Sequence, residues 1–175
     1  STSSTALLVL LSLSGWKRSR HKQPVPRTAR NASLTPEERY VPLRREPKLF
    51  ESLLRDEWLT SEARAVAAAA WEGYLHDAVV RESAGVYSFE LFSKTFCETF
   101  LREVDNYDAS GLPVRRPNSM NMYGLIVNEI GMRDAITELQ RSILWPVARL
   151  LFPLQSTQFD AHHSFIVRYK SVEDP

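Results

Sequence analysis

Residues 47–175 predict an α+β fold in which helices pack on a few short strands. Two observations carry this. Apolar residues recur at helical spacing over long windows. The plainest case is Phe96, Cys97, Phe100, Leu101 and Val104, one stripe at i, i+1, i+4, i+5 and i+8. Between such windows lie runs rich in β-formers at residues 86–89, 122–127 and 163–169, each too short for a stable helix.

The elements follow in order. Leu49, Phe50, Leu53 and Leu54 repeat at helical spacing just after Pro47, where ordered structure is expected to begin. Thr60 or Ser61 caps a second helix with Glu62 in its first turn. That helix is expected to carry Val66, the alanine run 67–70, Trp71, Tyr74, Leu75, Ala78 and Val79, because alanine is the strongest helix former. Gly85 closes it. Residues 86–89 then alternate, Val86 and Ser88 on one face and Tyr87 and Phe89 on the other. Ser93 caps the striped helix through Val104, and residues 105–121 read as a long loop with Gly111, Pro113 and Pro117 as turn residues.

A strand is expected at 122–127. Gly131 and Asp134 open a further helix whose stripe is Met132, Ile136, Leu139, Ile143, Val147 and Leu150. Pro146 lies inside it and should kink or split it, since proline lacks the helical N–H and its ring crowds the carbonyl four residues back. Pro153 ends it, and residues 163–169 form the last strand.

Charge divides the chain. Residues 1–48 hold 10 Lys/Arg against 3 Asp/Glu, whereas residues 49–175 hold 12 against 18. The two parts are therefore expected to be physically distinct. The net charge of +1 argues against a nucleic-acid binder. Residues 1–15 contain the apolar run 6–13, followed directly by Lys17, Arg18, Arg20 and Lys22. Eight apolar residues do not span a bilayer. The preferred reading is a truncated membrane anchor or signal-like segment, which would place the protein at a membrane or in the secretory pathway. A transit segment and an unstructured tail are the alternatives. Residues 16–46, basic and proline-containing without apolar periodicity, read as a linker. Asn31-Ala32-Ser33 has the N-glycosylation pattern, a tripeptide common by chance.

Cys97 is the only cysteine, so no intramolecular disulfide is available. Beside Phe96 and Phe100 it reads as a buried structural thiol. There is no Gly-rich phosphate loop, no Gly-x-Ser-x-Gly and no Cys-x-x-Cys. The four histidines are His21, His76, His162 and His163, none with Asp or Glu two positions later. Neighbours on a strand point to opposite faces, so His162 and His163 are expected to form hydrogen bonds rather than chelate one metal ion. Arg115 and Arg116 read as solvated loop charges.

Three segments carry a resemblance. They are Pro117-Asn118-Ser119-Met120-Asn121-Met122-Tyr123-Gly124, then Asn128-Glu129-Ile130-Gly131, then His162-His163-Ser164-Phe165-Ile166-Val167-Arg168-Tyr169-Lys170. Together they resemble the prolyl/lysyl hydroxylase-type branch of the Fe(II)/2-oxoglutarate dioxygenases, most specifically in the last piece. The resemblance implies that residues 47–175 are the N-terminal part of such a domain. Its helices would pack on the first strands of an incomplete double-stranded β-helix, or jelly-roll, barrel. It also implies an oxidoreductase that hydroxylates a protein side chain or a small molecule, with Fe(II), 2-oxoglutarate and O2, and with ascorbate as a further candidate cofactor. In that family a His-x-Asp pair and a later His hold the iron. None of these ligands occurs here, so the chain alone is expected to be inactive. The one site residue carried over is Tyr169, matched to the family's tyrosine that helps hold the C5 carboxylate of 2-oxoglutarate. The competing reading is a non-catalytic helical interaction module using the apolar face of residues 61–80.

Overall fold

The computed structural model describes residues 34–115, 124–155 and 161–167. The apolar run 6–13, the Asn31 sequence, Arg116, Met122, Tyr123, Arg168 and Tyr169 lie outside them.

Order begins earlier than Pro47. Helix α1 (Pro36–Tyr40) is opened by a capping box: Thr35 Oγ1 accepts from Glu38 N at 3.2 Å, and the Glu38 carboxylate accepts from Thr35 N at 2.7 Å. Pro36 sits at the first helical position, where its missing N–H costs nothing. Tight 3-10 turns follow at Val41–Leu43 and Pro47–Phe50. Tyr40 is 0% exposed, its ring against Phe50 and Tyr107. The linker expected over 16–46 is therefore corrected for residues 34–46. A single capping box and one buried aromatic are too little periodicity to register as an element in sequence.

Helix α2 (Ser61–Trp71) is capped by Thr60 as expected, but it stops eight residues short of Val79. Gly73 takes φ +94°, and the chain closes with Tyr74 N on Ala69 O (3.1 Å) and Gly73 N on Ala70 O (3.2 Å). This left-handed cap satisfies the last carbonyls of the helix. The residues beyond form β1 (Val80–Ser83), paired antiparallel with β2 (Val86–Ser88) around a turn containing Gly85. Helix α3 (Lys94–Ala109) has Ser93 as its cap and runs five residues past Val104, into what reads as loop in sequence. The caps of α2 and α3 are knitted together. Thr60 N donates to Leu91 O at 3.1 Å, Ser93 N to Trp58 O at 2.8 Å, and Ser93 Oγ to Glu57 O at 2.7 Å.

Strand β3 (Gly124–Ile126) passes directly into a 3-10 turn, Val127–Ile130, instead of continuing through Val127. Helices α4 (Arg133–Leu139) and α5 (Trp145–Leu151) are one rod interrupted by a π-helical turn at Gln140–Leu144. Pro146 accounts for the interruption, since it cannot donate to Ser142 O four residues back. The Trp71 indole N–H donates to that carbonyl instead, at 2.9 Å. This joins the end of α2 to the α4–α5 rod. Strand β4 (Phe165–Val167) pairs antiparallel with β3 in the register Gly124↔Val167, Leu125↔Ile166, Ile126↔Phe165.

The core forms where the α3 stripe meets this ribbon. Phe96, Phe100 and Val104 pack in one cluster with Leu125, Val127 and Ile166, joined by Tyr40, Leu49, Trp58, Ile130, Met132 and Leu139. A smaller cluster of Val66, Ala70 and Val147 holds α2 to α5. The α+β class therefore holds. Among the described residues the strands form two separate two-stranded sheets, not a barrel. Among those residues, too, no helix is long and apolar enough to cross a membrane.

Gly131 shows how the N-terminal segment is locked on. It takes φ +104°, and a Cβ there would fall on the Arg44 guanidinium and 2.9 Å from Glu37 Oε1. Arg44 lies over the Phe50 ring at 3.9 Å and donates to Ile130 O at 3.3 Å. Gly131→Ala is expected to destabilise the protein by about 1–3 kcal/mol, from backbone strain and displacement of Arg44. Urea unfolding checks this, and an unchanged midpoint would mean the turn relaxes freely.

Candidate functional site

The β3–β4 ribbon and the turn after β3 gather the polar groups nearest the carried-over motif. Ser164 O accepts from Val127 N at 3.0 Å, extending the ladder by one bond beyond the strands. The Asn128 side chain then replaces the next backbone partner, its Oδ1 accepting from Ser164 N at 2.7 Å. That bond orients the amide so that its Nδ2 points at His162 Nδ1, 3.1 Å away. Ser164 Oγ also faces Nδ1 at 2.9 Å.

The other ring nitrogen meets α4. His162 Nε2 lies 3.0 Å from Thr137 Oγ1 and 3.2 Å from Arg133 O. A carbonyl only accepts, and Thr137 already donates its hydroxyl hydrogen to Arg133 O at 2.8 Å. The network therefore assigns the hydrogen to Nε2 and leaves Nδ1 as the acceptor. Burial is the main cause that lowers the His162 pKa below its ordinary value; the hydrogen bond to Arg133 O opposes it, and the charges of Arg133 and His163 add to the lowering. His162 is thus a neutral, hydrogen-bonded imidazole. His163 is exposed, its ring 5.5 Å from Phe165. The two rings do not converge, and among the described residues no three His, Cys, Asp or Glu are placed to hold a metal ion.

Beside this network lies an apolar cavity of about 160 Å³, lined among others by Phe92, Phe96, Phe100, Met132, Ile136 and Phe165. Ile166, 4% exposed, turns into the helical core, while Phe165 and Val167 on the opposite face are half-buried. The face shared by positions 165 and 167 is therefore the less covered face of the ribbon. Arg115 is solvated as expected, its side chain 71% exposed, and it pairs with Glu129 at the surface. Cys97 is half-buried against the main core, and burial raises its thiol pKa.

One buried carboxylate was missed in the sequence, although its spacing could have found it. Glu103, seven residues after Phe96 and three after Phe100, lies on the buried face of α3 and is 0% exposed. It accepts from Tyr40 Oη, from Arg45 N at 3.1 Å and from Glu46 N at 2.7 Å. Asn106 Nδ2 completes the cluster on Tyr40 Oη (3.0 Å) and Leu43 O (2.8 Å). Burial, reinforced by Glu103, holds the Tyr40 phenol well above its ordinary range. Every contact in this cluster is internal, so it is an anchor for the N-terminal segment and offers no open coordination to a ligand.

Residues 37–156 match the OGFOD2-like domain, a span that includes α1 through α5 and the turn bearing Asn128. The chain belongs to the OGFOD2-like family. It is 36% identical over 129 residues to a Xenopus tropicalis protein named 2-oxoglutarate and iron-dependent oxygenase domain-containing protein 2, covering 72% of this chain and 37% of that one. The Homo sapiens protein of the same name is 32% identical over 144 residues, covering 77% and 40%. The Arabidopsis thaliana protein ICU11, also named as a 2-oxoglutarate and iron-dependent oxygenase domain-containing protein, is 32% identical over 109 residues, covering 59% and 27%. The OGFOD2-like chain is thus a member of the 2-oxoglutarate and iron-dependent oxygenase family, and it spans between a quarter and two fifths of the length of these relatives. The family match begins within α1, in agreement with the buried position of Tyr40 and against a linker reaching residue 46.

Proposed function

We propose that this chain supplies the helical support and first strands of an Fe(II)- and 2-oxoglutarate-dependent hydroxylase of the prolyl/lysyl type, acting on a protein side chain or a small molecule. The observation that carries the reading is the family match over residues 37–156. The geometry agrees with such a part. The α3 and α4 stripes cover one face of the β3–β4 ribbon, which leaves the Phe165 and Val167 face for further strands of a jelly-roll barrel. The described residues do not fit iron: His162 has both nitrogens engaged, and no carboxylate joins it. The iron ligands are therefore expected from the part of the relatives' length that this chain does not cover. The chain alone should turn over no 2-oxoglutarate.

The interaction-module reading keeps only part of its surface, since Trp71, Tyr74 and Leu75 are exposed while the alanine-rich face is not. Ala63, Val66, Ala69 and Ala70 of α2 are buried within the chain itself, and the helix ends at Trp71.

Tyr169 is the residue proposed to contact 2-oxoglutarate. Strand alternation continued past Val167 would put it on the face of Phe165 and Val167, where a phenol can pack its ring and extend its hydroxyl to a carboxylate. In a polypeptide carrying these residues together with the iron ligands, Tyr169→Phe is expected to weaken 2-oxoglutarate binding by about 1.5–3 kcal/mol, the value of one charge-assisted hydrogen bond. Iron affinity should not change. Titration of both ligands decides it. Unaltered cofactor affinity with lowered stability would make Tyr169 a structural aromatic, and absence of succinate formation from the unsubstituted polypeptide would overturn the hydroxylase reading itself.

A further inference from the structure

We infer that His162 is a positioning residue for β4, a neutral imidazole clasp whose protonation frees the start of the strand from α4 and from the turn after β3. The clasp ties α4, which no backbone ladder joins to the ribbon, to the turn after β3 and the entry to β4. Nε2–H is held by Thr137 and Arg133 on α4, while Nδ1 accepts from Asn128 after β3 and from Ser164 at the entry to β4. Beside the apolar packing of Leu125 and Ile166, this ring supplies hydrogen bonds that tie the end of the ribbon to α4.

The arrangement tolerates one protonation state. A proton on Nδ1 turns an acceptor into a donor. The Ser164 hydroxyl can rotate to accept it. The Asn128 Nδ2 cannot, and flipping that amide would turn its nitrogen toward Ser164 N and break the 2.7 Å bond. Charge opposes the proton as well. Arg133 on α4 and the adjacent His163 both act against a second positive charge, and Asn128, which faces the ring from the turn, is neutral. The sign follows from the lowered folded-state pKa. The contribution of the clasp is fully present above the ordinary histidine value of 6.5 and is lost as pH falls through the folded value. The clasp acts on the strand that leads to position 169, but it stands whether or not the chain belongs to an active hydroxylase.

Amide hydrogen exchange on the chain as it exists tests this, corrected for the intrinsic pH dependence of exchange. As pH falls from neutral, opening at Ser164 and Val127 is expected to rise by up to about tenfold per unit between the ordinary histidine value of 6.5 and the folded value and to level off below it, while Val104 in α3 keeps its protection. His162→Gln retains an N–H donor and has nothing to titrate, so opening at the same amides should become independent of pH. A flat profile in the unsubstituted chain, the same slope in the variant, or parallel loss at Val104 would overturn the inference. Ring nitrogen-15 shifts give a second readout that needs no variant. The Nε2–H form is expected at neutral pH, and an Nδ1–H form or a mixture would equally overturn it.

Discussion

Glu103→Leu is expected to lower the unfolding free energy by about 3–5 kcal/mol, although it replaces a charged residue with an apolar one of similar size in a buried position. The reason is what remains behind. Tyr40 Oη and the N–H groups of Arg45 and Glu46 all donate to that carboxylate, and leucine accepts from none of them. Buried donors without partners carry the desolvation cost that the carboxylate now offsets. The N-terminal segment should detach from α3 first, so trypsin should gain access to Arg44 and Arg45 well before the core opens. Glu103→Gln keeps one acceptor oxygen and should recover part of the loss. Urea titration with limited proteolysis measures both. A change under about 1 kcal/mol would mean that water satisfies the freed groups and that the segment is not anchored there.

Phe100→Ala is expected to cost about 3–5 kcal/mol, the usual range for truncating a buried aromatic. Phe100 is 6% exposed, lies parallel to Phe96 with ring centroids 5.7 Å apart, and belongs to the cluster that includes Leu125 and Ile166. Its ring also walls the apolar cavity, so truncation enlarges an existing void instead of opening an isolated one. The measured value reports whether the helix and the ribbon form one cooperative core. A loss below about 1 kcal/mol would place α3 outside that core.

The stripe of α3, its Ser93 cap, the Thr60 cap of α2, the α+β class and the family relationship were all legible in the sequence. Each depends on residues close together in the chain: an apolar period, a hydroxyl before a helix, a motif read along one strand. The Pro146 break was legible too, because a missing N–H is a property of one residue. The end of α2 could have been found, since Gly73 followed by a polar turn is a helix-stop signal, but the apolar residues after it kept the helical period going. Other features were decided only by the tertiary structure. Tyr40 and Glu103 are 63 residues apart, as are Asn106 and Leu43, and the helical spacing that puts Glu103 on the buried face of α3 does not name its partners. His162 carries its hydrogen on Nε2 because Arg133, 29 residues away, presents a carbonyl that can only accept, and burial among these groups lowers its pKa. Burial and proton placement are set by groups brought together across long stretches of chain, and a sequence window contains only one side of each such contact.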